Sequence, residues 1–151
     1  MSIIILSLII CLDQLTKFIF RINFLEGEKY TLIDQFLTLT FLKNRGAAFG
    51  ILSGQRNLFI LLTILFFVFI IYMYKFELPA KKSVEFGTAF LLAGGISNLI
   101  DRLFLHYVTD FIAFNLFGFY NLPVINFADI FIFFGVLILI YQLLFSVDRG
   151  V

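Results

Sequence analysis

The chain has 151 residues, 62% of them hydrophobic and 14% charged, with a formal net charge of +1. Ordinary soluble domains are roughly 45–50% apolar, so this composition marks an integral membrane protein, and a near-neutral charge without a basic patch gives no nucleic-acid partner. The single cysteine, Cys11, excludes an intrachain disulfide, and the single histidine, His106, excludes a multi-histidine metal cage and makes a Ser–His or Cys–His nucleophile pair hard to build. Carboxylates are therefore the best-stocked catalytic chemistry, and neither a metal nor a cofactor is expected.

A membrane helix needs about 20 residues, which leaves room for about four. The apolar stretches are continuous and do not alternate with polar residues, against a transmembrane barrel. The fold class expected is an all-α membrane protein with four transmembrane helices and a small β-sheet. Residues 1–151 form a single integral membrane domain, with helices near 2–22, 57–75, 86–105 and 126–146 and a surface β region at about 30–52.

The first apolar run has no basic residue ahead of it and no small-residue cleavage site after it, so it reads as a retained helix and not a removed signal peptide. Its lower half carries Asp13 and Lys17, four apart on one helical face. They read either as an interfacial ion pair with Lys17 snorkelling to water, or as a polar strut reaching under a site. Tyr30–Ile33 and Phe36–Leu42 are rich in β-branched and aromatic residues, and the second alternates apolar residues with Thr, a strand signal for a sheet lying at the membrane surface. Asn44-Arg-Gly-Ala-Ala-Phe-Gly50 breaks it: either a plain turn, or a place where Gly46, Ala47 and Ala48 allow close backbone approach and Asn44 offers a donor and an acceptor.

Asn57–Tyr74 is an almost uninterrupted apolar run without a catalytic group, hence scaffold. Lys75, Lys81 and Lys82 are dense after it, whereas Lys29, Lys43, Arg45 and Arg56 are spread through the longer first loop; density, though not a simple count, favours that connection and both termini as cytoplasmic. The third helix carries Ala93-Gly-Gly-Ile-Ser-Asn98, small enough for tight helix packing. Asn98, Asp101 and Arg102 follow at i, i+3 and i+4, read as one face and either a functional cluster or a structural acid–base network. A second surface connection spans 106–125. Asn126 and Asp129 open the fourth helix, where an amide cap and a first-turn acid are both favoured. Asp110 and Asp129 each sit beside a run of apolar residues, on the two sides of one connection. That placement reads as an aspartic-protease-type pair.

Five blocks stand one after another along the chain: Asp13-Gln-Leu-Thr-Lys17, Asn44-Arg-Gly-Ala-Ala-Phe49, Asn98-Leu-Ile-Asp-Arg102, Val108-Thr-Asp-Phe-Ile112 and Asn126-Phe-Ala-Asp129. In these the chain resembles the lipoprotein signal peptidase family, also called signal peptidase II. The resemblance implies a multi-pass aspartyl protease of the bacterial inner membrane. It implies four helices, an extracytoplasmic β-cradle, a short periplasm-side helix or loop, and an active site on the extracytoplasmic side. It also implies the partners: membrane lipids, and a prolipoprotein carrying diacylglycerol on its lipobox cysteine, cut just before that cysteine. By position Asp110 and Asp129 match the catalytic pair. Asp13, Asn44, Asn98, Arg102 and Asn126 match supporting or substrate-contacting residues, and Lys17, Gly46 and Asp101 of the same blocks join them. The family's usual Gly-Gly-Ala-x-Gly-Asn reads Ala93-Gly-Gly-Ile-Ser-Asn98 here, Ile125 and Ile130 replace a Phe and a Ser, and there is no Trp. The main rival is a small four-helix proton- or cation-coupled transporter using Asp13, Asp101, Asp110 and Asp129. A further one is a non-catalytic assembly subunit.

Overall fold

The computed structural model describes residues 3–46, 52–116 and 120–145. Four helices in it are long and apolar enough to cross a membrane: α1 (Ile3–Asn23), α2 (Arg56–Phe76), α3 (Lys82–Phe104) and α4 (Phe127–Phe145). Strands β1 (Lys29–Ile33), β2 (Leu37–Asn44), β3 (Val108–Leu116) and the two-residue β4 (Tyr120–Asn121) form an antiparallel sheet in the order β1-β2-β3-β4. Ala47, Ala48, Phe49 and the end of the expected β region fall outside the described residues.

Helix α3 is the centre of the bundle. It packs on all three other helices, and most of its apolar span is buried, whereas almost all of α2 faces outward. Leu61, Leu65, Val68 and Phe69 on α2 are exposed. A helix that is apolar all round and exposed on most sides is matched to hydrocarbon, not to water. The small residues of α3 explain its position. A Cβ added to Gly94 would stand 2.5 Å from the Ala128 carbonyl oxygen, and one added to Gly135 would stand 2.8 Å from the Gly87 carbonyl oxygen. Helices α3 and α4 therefore meet backbone to backbone at two levels, as small-residue membrane interfaces allow. The upper contact fixes the first turn of α4 against α3 one turn before Asn98.

Two differences from the sequence reading stand out. Helix α3 begins at Lys82, about a turn before the expected 86, because hydropathy marks only its apolar part and misses the charged first turn with Glu85. More consequentially, the surface connection expected over 106–125 contains β3. His106 takes φ 68°, turning the chain out of α3. The strand then pairs with β2 in the register Asn44↔Val108, Lys43↔Thr109 and Leu42↔Asp110. Val108 through Ile112 are all buried, so this stretch lacks the alternation that marks a half-exposed strand.

One small aromatic core holds sheet and helices together. Phe20 of α1 stacks on Phe111 of β3 with ring centroids 4.5 Å apart, and Phe111 meets Phe127 of α4 edge-on at 5.3 Å. Leu37 and Leu39 of β2 pack on the same cluster, while Thr38 and Thr40 take the alternate face. The far edge of β3 is held by Ile125, whose backbone exchanges hydrogen bonds of 2.8 and 2.9 Å with Ile112. The residues just before α4 are thereby laid against β3.

Gly94→Ala is expected to lower the thermal unfolding midpoint in detergent, at a cost of about 1–3 kcal/mol, because its new methyl meets backbone that cannot step aside. Gly95→Ala should cost less: its methyl would meet only the ring edge of Phe67, at 2.5 Å, and that side chain can turn away. Equal losses for the two variants would show that close α3–α4 approach is not the constraint.

Candidate active site

The polar residues of the bundle collect in two connected layers under the sheet. The deeper layer is a buried charge cluster. Lys17 has no exposed surface; its Nζ lies 2.7 Å from Asp13 Oδ2 and 3.5 Å from Asp101 Oδ2, and both acids are equally buried. Arg21, one helical turn on, lies 3.7 Å from Asp101 Oδ1. Each acid has a second task. Asp13 Oδ1 accepts the Ala128 N–H at 2.9 Å, one of the amides at the start of α4 that no helical carbonyl can satisfy, and its Oδ2 accepts the Ser97 hydroxyl at 2.7 Å. Asp101 Oδ2 accepts the Thr109 N–H at 2.9 Å, fixing the start of β3. Arg21 also donates to Thr109 Oγ1 at 3.0 Å, and Gln14 donates to the Ser97 hydroxyl oxygen at 2.9 Å and to Asp101 Oδ1 at 3.2 Å. The cluster thus ties α1 to α3, β3 and α4.

Between the two layers stands Asn98. Its Oδ1 accepts Lys17 Nζ at 2.7 Å and Asn126 Nδ2 at 3.2 Å, and its own Nδ2 donates to Asp129 Oδ1 at 2.8 Å. The carbonyl oxygen faces a cation, which fixes the amide's orientation and aims its donor at Asp129.

The upper layer contains Asp110 and Asp129. Asn126 links them. Its Nδ2 donates to Asp110 Oδ1 at 2.7 Å; its backbone N–H donates to Asp129 Oδ2 at 3.1 Å, and its Oδ1 accepts the Asp129 N–H at 3.0 Å. The last two bonds form a reciprocal cap on α4. Capping and bridging are therefore one arrangement, although the sequence presented them as alternatives. Asn44, at the end of β2, donates to Asp110 Oδ2 at 2.8 Å and accepts the Gly46 N–H at 3.0 Å. Both acids, with Asn44, Gly46, Asn98 and Arg102, line one cavity of about 230 Å³ walled by Val108 and Ile125. Burial, reinforced by the Asp129 charge, pushes the Asp110 carboxyl up to about 7, against the lowering effect of the Asn44 and Asn126 hydrogen bonds and the Lys17 charge.

All ten residues singled out in the sequence fall within these two layers, but two readings change. Lys17 does not snorkel to water: it is fully buried between two acids. Asn98, Asp101 and Arg102 do not share one face. Positions i+3 and i+4 point about 100° apart around a helix, so Asp101 turns to α1 and Arg102 to the cavity, while Asn98 between them reaches both. Ser97 is more than a small packing residue, since its hydroxyl holds Asp13. Arg21 and Thr109 are further members that sequence reasoning missed. Arg21 was visible as the next cation on the Asp13–Lys17 face; Thr109 stands inside the Val108–Ile112 block, but its contacts, a backbone N–H to Asp101 and a hydroxyl oxygen to Arg21, come from segments far away in the chain.

Comparison with known proteins matches residues 5–145 to the family model described as signal peptidase (SPase) II. The chain belongs to this family. Signal peptidase II relatives include the lipoprotein signal peptidase of Bacillus pumilus, 40% identical over 141 residues, covering 93% of this chain and 90% of that protein. The lipoprotein signal peptidase of Moorella thermoacetica is 39% identical over 137 residues, covering 91% of this chain and 88% of its own. A solved structure described as a bacterial membrane enzyme, obtained by the in meso method at 2.3 Å resolution, superposes with a TM-score of 0.88 at 33% identity, over 99% of this chain and 91% of that one. This signal peptidase II family member is a multi-pass membrane protein and a peptidase, so the transporter and assembly-subunit alternatives fall away.

Lys17→Met is expected to destabilise the protein by about 3–5 kcal/mol, because it strands the buried Asp13 carboxylate and leaves Asp101 with Arg21 as its one cation among the described residues. Lys43→Met removes a half-exposed pair, 3.0 Å from Glu26, and should cost less than about 1 kcal/mol. Thermal unfolding of the two purified variants in one detergent checks the contrast.

Proposed function

We propose that Asp110 and Asp129 are the catalytic pair of an aspartic endopeptidase that removes the signal peptide from diacylglyceryl-modified prolipoproteins, cutting before the lipidated cysteine. The observation that carries this reading is the single cavity in which both carboxyl groups stand, linked through Asn126. Two neighbouring acids in a desolvated site cannot both ionise cheaply, so the pair holds one proton near neutral pH. The ionised member takes a proton from water, which attacks the scissile carbonyl. The protonated member donates a hydrogen bond to the carbonyl oxygen and later protonates the leaving amine. The titration belongs to the pair, and the raised Asp110 carboxyl is its readable half. Asn44, Asn98 and Asn126 hold the carboxylates by donating to them, and Asp13, Lys17 and Asp101 hold the elements that carry those amides.

The chain acts as one membrane domain, in the cell (inner) membrane. The sheet and both acids lie at one end of the bundle; Lys75, Lys81 and Lys82 lie at the other, between α2 and α3. Positive residues favour the cytoplasm, and this supports an extracytoplasmic cavity. A substrate tethered by acyl chains reaches such a site by moving in the plane of the membrane. Each buried methylene of the anchor contributes about 0.8 kcal/mol, and the anchor fixes the depth of the adjacent peptide bond.

Asp110→Asn and Asp129→Asn should each lower turnover of a lipidated substrate by about 10³-fold or more while the protein stays folded, because an amide neither accepts the water's proton nor shares one. In the wild-type enzyme kcat/KM should fall as pH rises through about 7, where the Asp110 carboxyl gives up the shared proton, and fall again in acid when both groups are protonated. Normal turnover by a well-folded Asp129→Asn enzyme would remove the assignment.

A second measurement addresses the substrate: one lipobox peptide with and without diacylglycerol on its cysteine, compared at matched micellar concentration. Cleavage of the first and little or none of the second is expected. Equal kcat/KM would make the protein a general membrane endopeptidase.

A further inference from the structure

Among the described residues Arg102 is the one cation lining the catalytic cavity, and it forms no ion pair at contact distance with either acid there. Its Nη1 lies 3.4 Å from the Asn98 carbonyl oxygen, a long contact, and its guanidinium rests over the Phe59 ring at 5.3 Å. Among the described residues no carboxylate stands within ion-pair distance of it. Guanidinium has five N–H donors, so most of its capacity is unused in a site whose other ionisable groups are acids.

Its position is equally specific. Arg102, Asn98 and Asp129 line the catalytic cavity and also a neighbouring one of about 310 Å³, whose remaining walls are largely apolar: Phe59, Leu62, Phe66 and Ile132 from α2 and α4. Arg102 stands at the junction of the two. Its backbone is pinned there by Arg56, whose Nε donates to the Arg102 carbonyl oxygen at 2.7 Å and whose Nη2 donates to that of Leu103 at 3.0 Å.

Peptide hydrolysis divides its product charges unequally. The amine half leaves with the lipidated cysteine. The acyl half, which is the apolar signal peptide, gains a water oxygen, loses the C–N bond and ends in a carboxylic acid that ionises beside Asp110 and Asp129. We propose that Arg102 binds this newly formed C-terminal carboxylate, with the last apolar side chains before it in the adjoining α2–α3–α4 cavity. This rests on the peptidase reading above and adds its product site: the ligand class is an apolar peptide with a free C-terminal carboxylate. A planar fork of donors on a carboxylate is the strongest pairing available to such a ligand. It also draws the product carboxylate away from two acids that would repel it.

The test uses wild-type enzyme and a fluorescent synthetic signal peptide ending at the residue before the cysteine, made as the free acid and as the C-terminal amide. The two partition into micelles through the same apolar sequence, so their difference in affinity reports the carboxylate. The acid is expected to bind at least about ten-fold tighter than the amide and to inhibit cleavage competitively. That ratio should shrink to within about two-fold in Arg102→Gln and be partly kept in Arg102→Lys, with unfolding midpoints checking that both variants fold. Equal binding of acid and amide to the wild type overturns the proposal, as does an acid preference that survives in Arg102→Gln. If the same enzyme preparation cleaves a lipidated substrate, either result leaves the peptidase reading standing; absence of cleavage would count against that reading instead.

Discussion

Lys17 is an ammonium group with no exposed surface, placed between two carboxylates with none either. Removing such groups from water costs several kcal/mol each, and their mutual attraction offsets this only when the geometry is good and every remaining polar atom is bonded. Both conditions hold here. Asp13 and Asp101 are balanced by Lys17 and Arg21, and their spare oxygens accept amides from the start of α4 and the start of β3. The fold depends on this cluster because those two amides belong to the segments that carry Asp129 and Asp110. A charge cluster that merely joined helices would not need to reach the backbone at both places.

The second constraint is close packing of backbones. Helix α4 comes near enough to α3 for the Asn98 side chain to reach Asp129 only because Gly94 and Gly87 leave room. The sheet contributes from the other side. Ile125 pairs with Ile112, and the chain then turns at once into the Asn126 cap. The acids, nineteen residues apart in the chain and linked through Asn126, are thus brought together by a strand edge and a helix cap, both local structures that form for their own reasons. Few degrees of freedom are left for the carboxylates, as a preorganised site requires.

Around this polar interior the protein turns an apolar surface outward on α1, α2 and α4, while the buried charge cluster and both cavity acids are gathered toward one end of the bundle. The arrangement inverts that of a water-soluble enzyme, whose charges face solvent. Here the surroundings penalise any unpaired polar atom; of the buried side-chain atoms described, only the Thr88 hydroxyl has no partner. Arg102 is therefore the more informative exception. It is half-buried with most of its donors unused, in the cavity that also holds Asp110 and Asp129.

Much of this was legible in the sequence, for a physical reason. Hydrocarbon punishes polarity so heavily that continuous apolar runs mark the helices, and the few polar residues within them mark the site. Asp13, Lys17, Asn98 and Asp101 stood out on those grounds, Asp110 and Asp129 as acids beside apolar runs and Asn126 as a helix cap, and the family resemblance joined them into one site. The sequence also set β2, because alternating Thr and Leu between two environments leaves a period-two trace. It did not set β3, whose residues 108–112 are buried on both faces and leave no such trace. Nor did it decide which way each polar residue turns. Whether Lys17 reaches water or an acid, and whether Asp101 faces its neighbour Arg102 or α1, depends on which helix packs alongside. That information lies in pairs of segments some eighty residues apart, and no local pattern carries it.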